Sequence, residues 1–206
     1  LDLPAAQTMA DLFMEVLIVP DITPDALDFL AGKKKNLRIL TVKPEASKSP
    51  LRRLRTKSVS GGYLVQTADN VPMQQSDWKW VTSVQPESAL ADDAAFAWAV
   101  VKHVASNAIV LVKDGKTIGI GAGQMSRVEA VRIATQHAAR HGHSTEGAVL
   151  ASDAFFPFAD NVELAEEAKI STVIQPGGSK RDDEVIEAAN KAGIAMCFTG
   201  KRHFRH

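Results

Sequence analysis

A chain of 206 residues with a single cysteine, Cys197, can form no internal disulfide and offers no cysteine cluster for a metal. One thiol and no more is the usage expected of a reducing cytoplasm. A charge of one sign is also lacking. The 24 Lys and Arg residues balance 24 Asp and Glu residues, which argues against general nucleic-acid or membrane-surface binding while leaving room for a local basic patch that serves a phosphate. No apolar run reaches the roughly 18 residues that a bilayer span requires. The first twenty residues lack the basic-then-apolar order of a secretory signal. The first position is Leu1, not methionine, and Ala5, Met9, Leu12 and Phe13 already stand at helical spacing. The chain therefore reads as a piece of a longer polypeptide. What remains is ordinary globular composition, 45% apolar and 23% charged, enough to bury a sizeable core in one large domain or two smaller ones.

Strands and helices alternate along the sequence. Glu15 to Val19 is a short apolar strand closed by Pro20, and Thr23 before Pro24 marks the start of a helix running to about Gly32. Leu37 to Val42 is the next strand. Pro44 to Gly62 is basic and Ser/Pro-punctuated, which predicts a loop or linker. Tyr63 to Gln66 and Trp80 to Val84 have strand character. From Glu87 to Val104, the spacing of Leu90, Ala94, Ala97, Trp98, Val101 and Val104 predicts an amphipathic helix. Ala108 to Val112 and Thr117 to Ile120 form a hairpin across Asp114-Gly115. Beyond it lie a helix from Ser126 to Arg140, a strand from Ala148 to Ala151, a helix from Asn161 to Ala168, and a last strand–helix–strand: Thr172 to Ile174, Arg181 to Ala192, Ala195 to Phe198. That final unit echoes the first, since Val16-Leu17-Ile18-Val19-Pro20 parallels Thr172-Val173-Ile174-Gln175-Pro176. Such alternation predicts a layered α/β fold, a mixed sheet with helices on both faces.

Four segments could carry chemistry. Ser152 to Asp160, SDAFFPFAD, sets three phenylalanines and a proline between two aspartates at the end of a buried strand. Such a run is either core, or the wall of a pocket for a flat polar ring, with a carboxylate to accept paired N–H donors. Gly119, Gly121 and Gly123 lie where a strand hands over to a helix. They fail the dinucleotide spacing, because Gln124 and Ser126 occupy the sixth positions. Packing and ligand contact both explain them, and Arg127 in the first helical turn adds a guanidinium able to bind an anion. Gln175-Pro176-Gly177-Gly178-Ser179 is a second glycine turn before a helix, with Ser179 as a cap-region residue. The basic tail, Arg202 to His206, reads by default as solvated, and His103, His137, His141 and His143 as surface or loop residues.

Ser152 to Asp160 and the tail Arg202 to His206, with Lys102-His103-Val104-Ala105-Ser106-Asn107-Ala108-Ile109-Val110 and Ile118 to Arg127, together resemble one family, the bifunctional purine-biosynthesis enzyme AICAR formyltransferase / IMP cyclohydrolase. The resemblance runs through essentially the whole chain and is densest from Ala97 to the end, where the chain stops as the family does. It implies the carboxy-terminal part of a formyltransferase region built from two cytidine-deaminase-like subdomains. Residues 1–45 would end the first, 46–85 would link them, and 86–206 would form the second. It also implies 10-formyltetrahydrofolate as co-substrate, AICAR as acceptor, no required metal, and a homodimer whose site is shared across the interface. Asn107, Phe155, Arg202 and Phe204 would contact the ribonucleotide. Arg127, Pro157, Phe158, Asp160 and Ser179 would contact the folate, with Asp160 and Asn107 supporting the reacting groups. Asp160 could equally cap the helix from Asn161. Ala105 stands where relatives often carry lysine.

The family's Lys-His catalytic pair, in a Lys-His-Ala-Asn-Pro motif, is absent, as are its Asp-Pro-x-Ser-Ala-Phe-Gly-Gly segment and its amino-terminal cyclohydrolase domain. Formyl transfer needs a base to take a proton from a weakly nucleophilic amine, so the chain alone is expected to be inactive and to bind ligands at most, as a folate- or nucleotide-binding module. A zinc-dependent nucleobase deaminase, the other reading of this fold, needs a Pro-Cys-x-x-Cys pair that one cysteine cannot supply.

Overall fold

A computed structural model describes residues 1–43, 54–69 and 73–205. Backbone contacts divide the chain into two compact units, residues 1–70 and 71–206.

The first unit opens with α1 (Leu3–Met9), β1 (Val16–Val19), α2 (Pro24–Lys33) and β2 (Arg38–Thr41). Asp2 caps α1 by accepting the Ala5 N–H, and the helix stops at Met9. Leu12 and Phe13 therefore fall beyond it and are exposed. Pro24 takes the first helical position of α2, where its missing N–H costs nothing. Thr23 stands at the cap position, but its side chain makes no cap hydrogen bond. β1 and β2 pair in parallel, Val16 opposite Arg38. The helices bury Leu17 with Ala6, Ala26 and Leu30 on one face.

The expectation of a loop through Gly62 is corrected from residue 54 onward, residues 44–53 lying outside the described residues. Leu54–Val59 (β3) pairs antiparallel with Gly62–Thr67 (β4), Ser58 opposite Tyr63, around Gly61 at φ 83°. Both strands are exposed along their whole length. No burial pattern therefore marks β3, whose residues are mostly polar.

The second unit is a six-stranded mixed sheet. In chain order its elements are β5 (Lys79–Trp80), α3 (Ser88–Val101), β6 (Ile109–Lys113), β7 (Lys116–Gly121), α4 (Arg127–Arg140), β8 (Val149–Ser152), α5 (Asp160–Glu167), β9 (Thr172–Gln175), α6 (Asp182–Lys191) and β10 (Ala195–Phe198). The strand order is β5-β10-β9-β8-β6-β7. The three central strands β8, β9 and β10 run parallel, with antiparallel neighbours on either side. The strand expected to reach Val84 ends at Trp80, because Thr82 turns its hydroxyl to accept the Met196 N–H at 2.8 Å.

Alternation of side chains sorts the core into two layers. Ile109, Leu111, Leu150, Val173 and Met196 face α4, α5 and α6. Val110, Val112, Val149, Ala151, Ile174 and Cys197 face α3 through Ala94, Ala97, Trp98 and Val101. Both faces are covered, as the layered α/β expectation requires. The β6–β7 hairpin turns through Asp114 and Gly115, both at positive φ. Asp93 of α3 accepts both turn N–H groups, at 2.9 and 2.8 Å, which ties this edge of the sheet to the helix beneath it.

Two glycines of the Gly119-Ile120-Gly121-Ala122-Gly123 run are explained by packing. A Cβ on Gly119 or Gly121 would come within 2.1 or 2.0 Å of the Ala134 or Ala130 carbonyl oxygen of α4. Close approach of α4 to β7 requires glycine there. Gly123, at φ 65°, serves the turn.

Candidate functional site

The site grows from the ends of β8, β9 and β10 and from the turn before α4. Ser126 caps α4 by accepting the Glu129 N–H at 3.1 Å, a capping arrangement that fixes the first turn and with it Arg127. The Arg127 side chain is buried, 8% exposed. Its Nη1 donates to Asp153 Oδ1 at 2.6 Å and to Ser152 Oγ at 2.8 Å, and Nη2 donates to Asn107 Oδ1 at 2.8 Å. Asp153 is fully buried, and its Oδ2 has no hydrogen-bond partner among the described residues. A buried carboxylate so placed depends on its cation. Asp153 is the residue of this candidate site to which sequence reasoning gave no role of its own. A buried arginine demands a carboxylate, and the first aspartate of SDAFFPFAD was the signal.

Asn107 is half-buried and follows Ser106 through a cis peptide bond. Its Nδ2 donates to the Gln124 carbonyl at 2.8 Å, so both ends of its amide are held, one by Arg127 and one by the glycine turn. The tail folds onto the same place. The His203 N–H donates to the Asp153 carbonyl at 3.0 Å, and Ser106 and Arg205 exchange two hydrogen bonds, of 2.8 and 3.0 Å. The tail is thus bound rather than solvated. Arg202 is exposed, its guanidinium 4.6 Å from the centre of the Phe204 ring. His203 is buried with its ring 4.9 Å from that of Trp98.

The aromatic segment divides its labour. Phe156 is core, fully buried; Phe155 and Pro157 are half-buried; Phe158 is 48% exposed with the Arg181 guanidinium 4.9 Å from its ring centre. The core reading holds for Phe156, while Phe155, Pro157 and Phe158 keep accessible surface. Asp160 is exposed and is itself the first residue of α5, with Ala159 at the cap position. The cap alternative is corrected accordingly. The Asp160 Oδ1 accepts from both the backbone and the side-chain N–H of Asn161, at 2.8 and 2.7 Å.

At the second glycine turn, Asp182 accepts the N–H of Gly178 at 2.7 Å and of Ser179 at 3.1 Å. The turn thus carries its own carboxylate. Ser179 lies before the cap position, which Arg181 takes, and its Oγ accepts the Arg181 N–H at 3.2 Å. Direct contacts therefore join Asn107, Arg127, Asp153 and the tail, while the Arg181–Phe158 contact links the glycine-turn helix to the aromatic segment. The hydrogen bonds of Asp160 and Ser179 are local. Cys197 is fully buried in the core layer that faces α3, and burial pushes its thiol up to about 12. Among the described residues no group of three or more His, Cys, Asp or Glu side chains could hold a metal ion, and no helix is long and apolar enough to cross a membrane.

Comparison with known proteins agrees with these motifs. The bifunctional purine biosynthesis protein PurH of Chloroflexus aurantiacus is 49% identical over 205 residues, covering 100% of this chain and 40% of that protein. PurH of Streptococcus agalactiae is 48% identical, covering 100% of this chain and 39% of that protein. The chain thus spans about two fifths of the length of these relatives. Among solved structures, the dCMP deaminase of cyanophage S-TIM5 overlaps 54% of this chain and 98% of its own, with a TM-score of 0.40 and 14% identity. A diaminohydroxyphosphoribosylaminopyrimidine deaminase / 5-amino-6-(5-phosphoribosylamino)uracil reductase of Thermotoga maritima overlaps 53% of this chain and 34% of its own, with a TM-score of 0.34 and 23% identity. Overlaps this partial carry no argument about function. The AICARFT/IMPCHase bienzyme family matches residues 1–137, and with the full-length identity to PurH proteins this places the chain in that family: it belongs to the AICARFT/IMPCHase bienzymes of purine biosynthesis.

Proposed function

We propose that this chain is part of an enzyme that moves a formyl group from 10-formyltetrahydrofolate to the amino group of AICAR, giving FAICAR, within a polypeptide that also closes FAICAR to IMP. The observation that carries this reading is the convergence of Asn107, the SDAFFPFAD segment and the folded-back tail around the buried Arg127–Asp153 pair. Asn107, Phe155, Arg202 and Phe204 would hold the ribonucleotide. Pro157, Phe158, Asp160 and Ser179 would hold the folate, whose flat ring suits a half-exposed phenyl face and whose N–H edge suits a carboxylate. Arg127 would serve both by fixing Asn107. Residues 86–206 would form one deaminase-like subdomain and residues 1–45 the end of another, joined by 46–85. The site would be completed across a homodimer by the Lys-His pair of the missing segment. No step needs a metal. The chain alone should show no formyl transfer, and adding the missing part of the parent polypeptide should restore it. Turnover by the purified chain, after exclusion of host enzyme, would overturn the reading of where the base lies. Absence of formyl transfer in the full-length parent would overturn the function.

A further inference from the structure

Gln175 breaks the pattern of its own strand. It ends β9 on the same face as Val173, among Phe156 and Met196 of the larger core layer, and is fully buried. Alternation calls for an apolar residue here, and a buried amide costs free energy unless its polar atoms are paired. The pairing is lopsided. Oε1 accepts the Phe156 N–H at 2.7 Å, whereas among the described residues Nε2 donates only to the Met196 sulfur at 3.3 Å, a weak acceptor. An aliphatic side chain would fill this space without the amide, so packing alone does not account for glutamine. Departures of this kind from local consistency are characteristic of functional positions.

The bond it makes lies where it has most leverage. The Phe156 N–H belongs to the peptide between Phe155, proposed for the ribonucleotide, and the core residue Phe156, which leads into Pro157 and Phe158, proposed for the folate. The Gln175 carbonyl in turn accepts the Thr199 N–H at 2.9 Å, at the root of the tail that carries Arg202 and Phe204. The next residues, Pro176 to Gly178, form the glycine turn, where a Cβ on Gly177 would strike the Phe198 ring at 2.5 Å. One residue therefore joins the aromatic segment, the glycine turn and the tail.

We propose that Gln175 is a positioning residue, whose side-chain oxygen sets the aromatic wall against the rest of the site so that both substrates are met in register. This rests on the formyl-transfer reading above. The test uses Gln175→Met, of equal length without the acceptor, and Gln175→Glu, which keeps it, each made in the full-length parent for kinetics and in this chain for amide hydrogen exchange. Gln175→Met should raise the KM for 10-formyltetrahydrofolate and for AICAR together by about fivefold, the size that one neutral hydrogen bond supports, and should speed exchange at the Phe156 amide. Gln175→Glu should leave both KM values within about twofold of the wild type and Phe156 protected, since its acceptor oxygen accounts for the tether. A folded Gln175→Met with unchanged KM values overturns the proposal. So does a folded Gln175→Glu with an unprotected Phe156, which decides the matter should the methionine variant fail to fold. If the wild-type parent transfers no formyl group, the functional reading falls by itself, while Phe156 exchange still decides whether the tether exists.

Discussion

The first unit and the end of the second are built to one pattern. Helix, strand, helix and strand have 7, 4, 10 and 4 residues in α1–β1–α2–β2, and 8, 4, 10 and 4 in α5–β9–α6–β10. Both first strands end at a proline, Pro20 and Pro176, and both strand pairs are parallel. In both, the flanking helices cover one face, Leu17 in one copy and Val173 in the other. The other face differs. Ile174 lies under α3 with no exposed surface, whereas Ile18, at the same place in the pattern, is 64% exposed, and Val16 and Leu40 beside it are about half-exposed. Local sequence makes the strand–helix–strand unit, and its neighbours decide whether that unit has a core on both sides.

The difference can be broken most severely through the buried Arg127–Asp153 pair of the second region. Asp153→Ala leaves Arg127 buried without its carboxylate, and a loss of about 3–5 kcal/mol is expected. All three tryptophans, Trp78, Trp80 and Trp98, lie in the second unit, so denaturant unfolding followed by indole fluorescence reads this change directly. A loss below about 1 kcal/mol would show that the pair is not the keystone its burial implies.

The comparison is sharpest at the two isoleucines. Ile174→Ala should cost about 2–5 kcal/mol, as large-to-small changes in closed cores do. Ile18→Ala in this chain should stay within about 0.5 kcal/mol, as exposed substitutions do. Equal losses, with far-ultraviolet dichroism reporting the first unit, would mean that the exposed face of β1 is covered in solution. A second copy of the chain is the expected cover, and sedimentation at high micromolar concentration would reveal it.

A third contrast divides the site. In the longer enzyme proposed above, Asp160→Asn should weaken folate use by about 1.5–3 kcal/mol, the worth of one charged hydrogen bond, whereas Arg202→Ala should raise the KM for AICAR. If each loss fell on the other substrate, the proposed division of the pocket would be reversed. The smallest effect concerns Cys197, in the covered layer that the first unit lacks. Burial raises its thiol from 9.0 to about 12, so the unfolded chain loses this proton first. Stability from this group is present below pH 9 and is lost as the pH rises toward 12. Cys197→Ala should flatten that alkaline decline, which pH-dependent denaturation would show.

Most of the layered fold was legible because its signals are local. Asp114-Gly115 announced its turn, the spacing of Leu90, Ala94, Ala97, Trp98 and Val101 its helix, and short apolar runs their buried strands. β3 escaped because Leu54 to Val59 is exposed along its whole length and is mostly polar, its pairing with β4 leaving no burial pattern. The aromatic segment and the tail were visible as candidates, but not the bond that unites them, since Arg127 and Asp153 stand 26 residues apart and only the folded sheet brings them together. The same limit applied to Gly119 and Gly121, whose purpose is the nearness of α4.

The pairing of β5 with β10 has a consequence for synthesis on the ribosome. Trp80 finds its sheet partner in Cys197, 197 − 80 = 117 residues later. At roughly 5–20 residues per second of translation, that edge waits about 6–23 s for the strand that receives it. The tail that closes over Asp153 emerges later still. A nascent chain halted before Phe198 could hold α3, the β6–β7 hairpin and α4 in near-native order, yet it would present an open sheet edge and no completed site. Assembly of this cluster therefore waits until every element from Trp80 to the tail has been made.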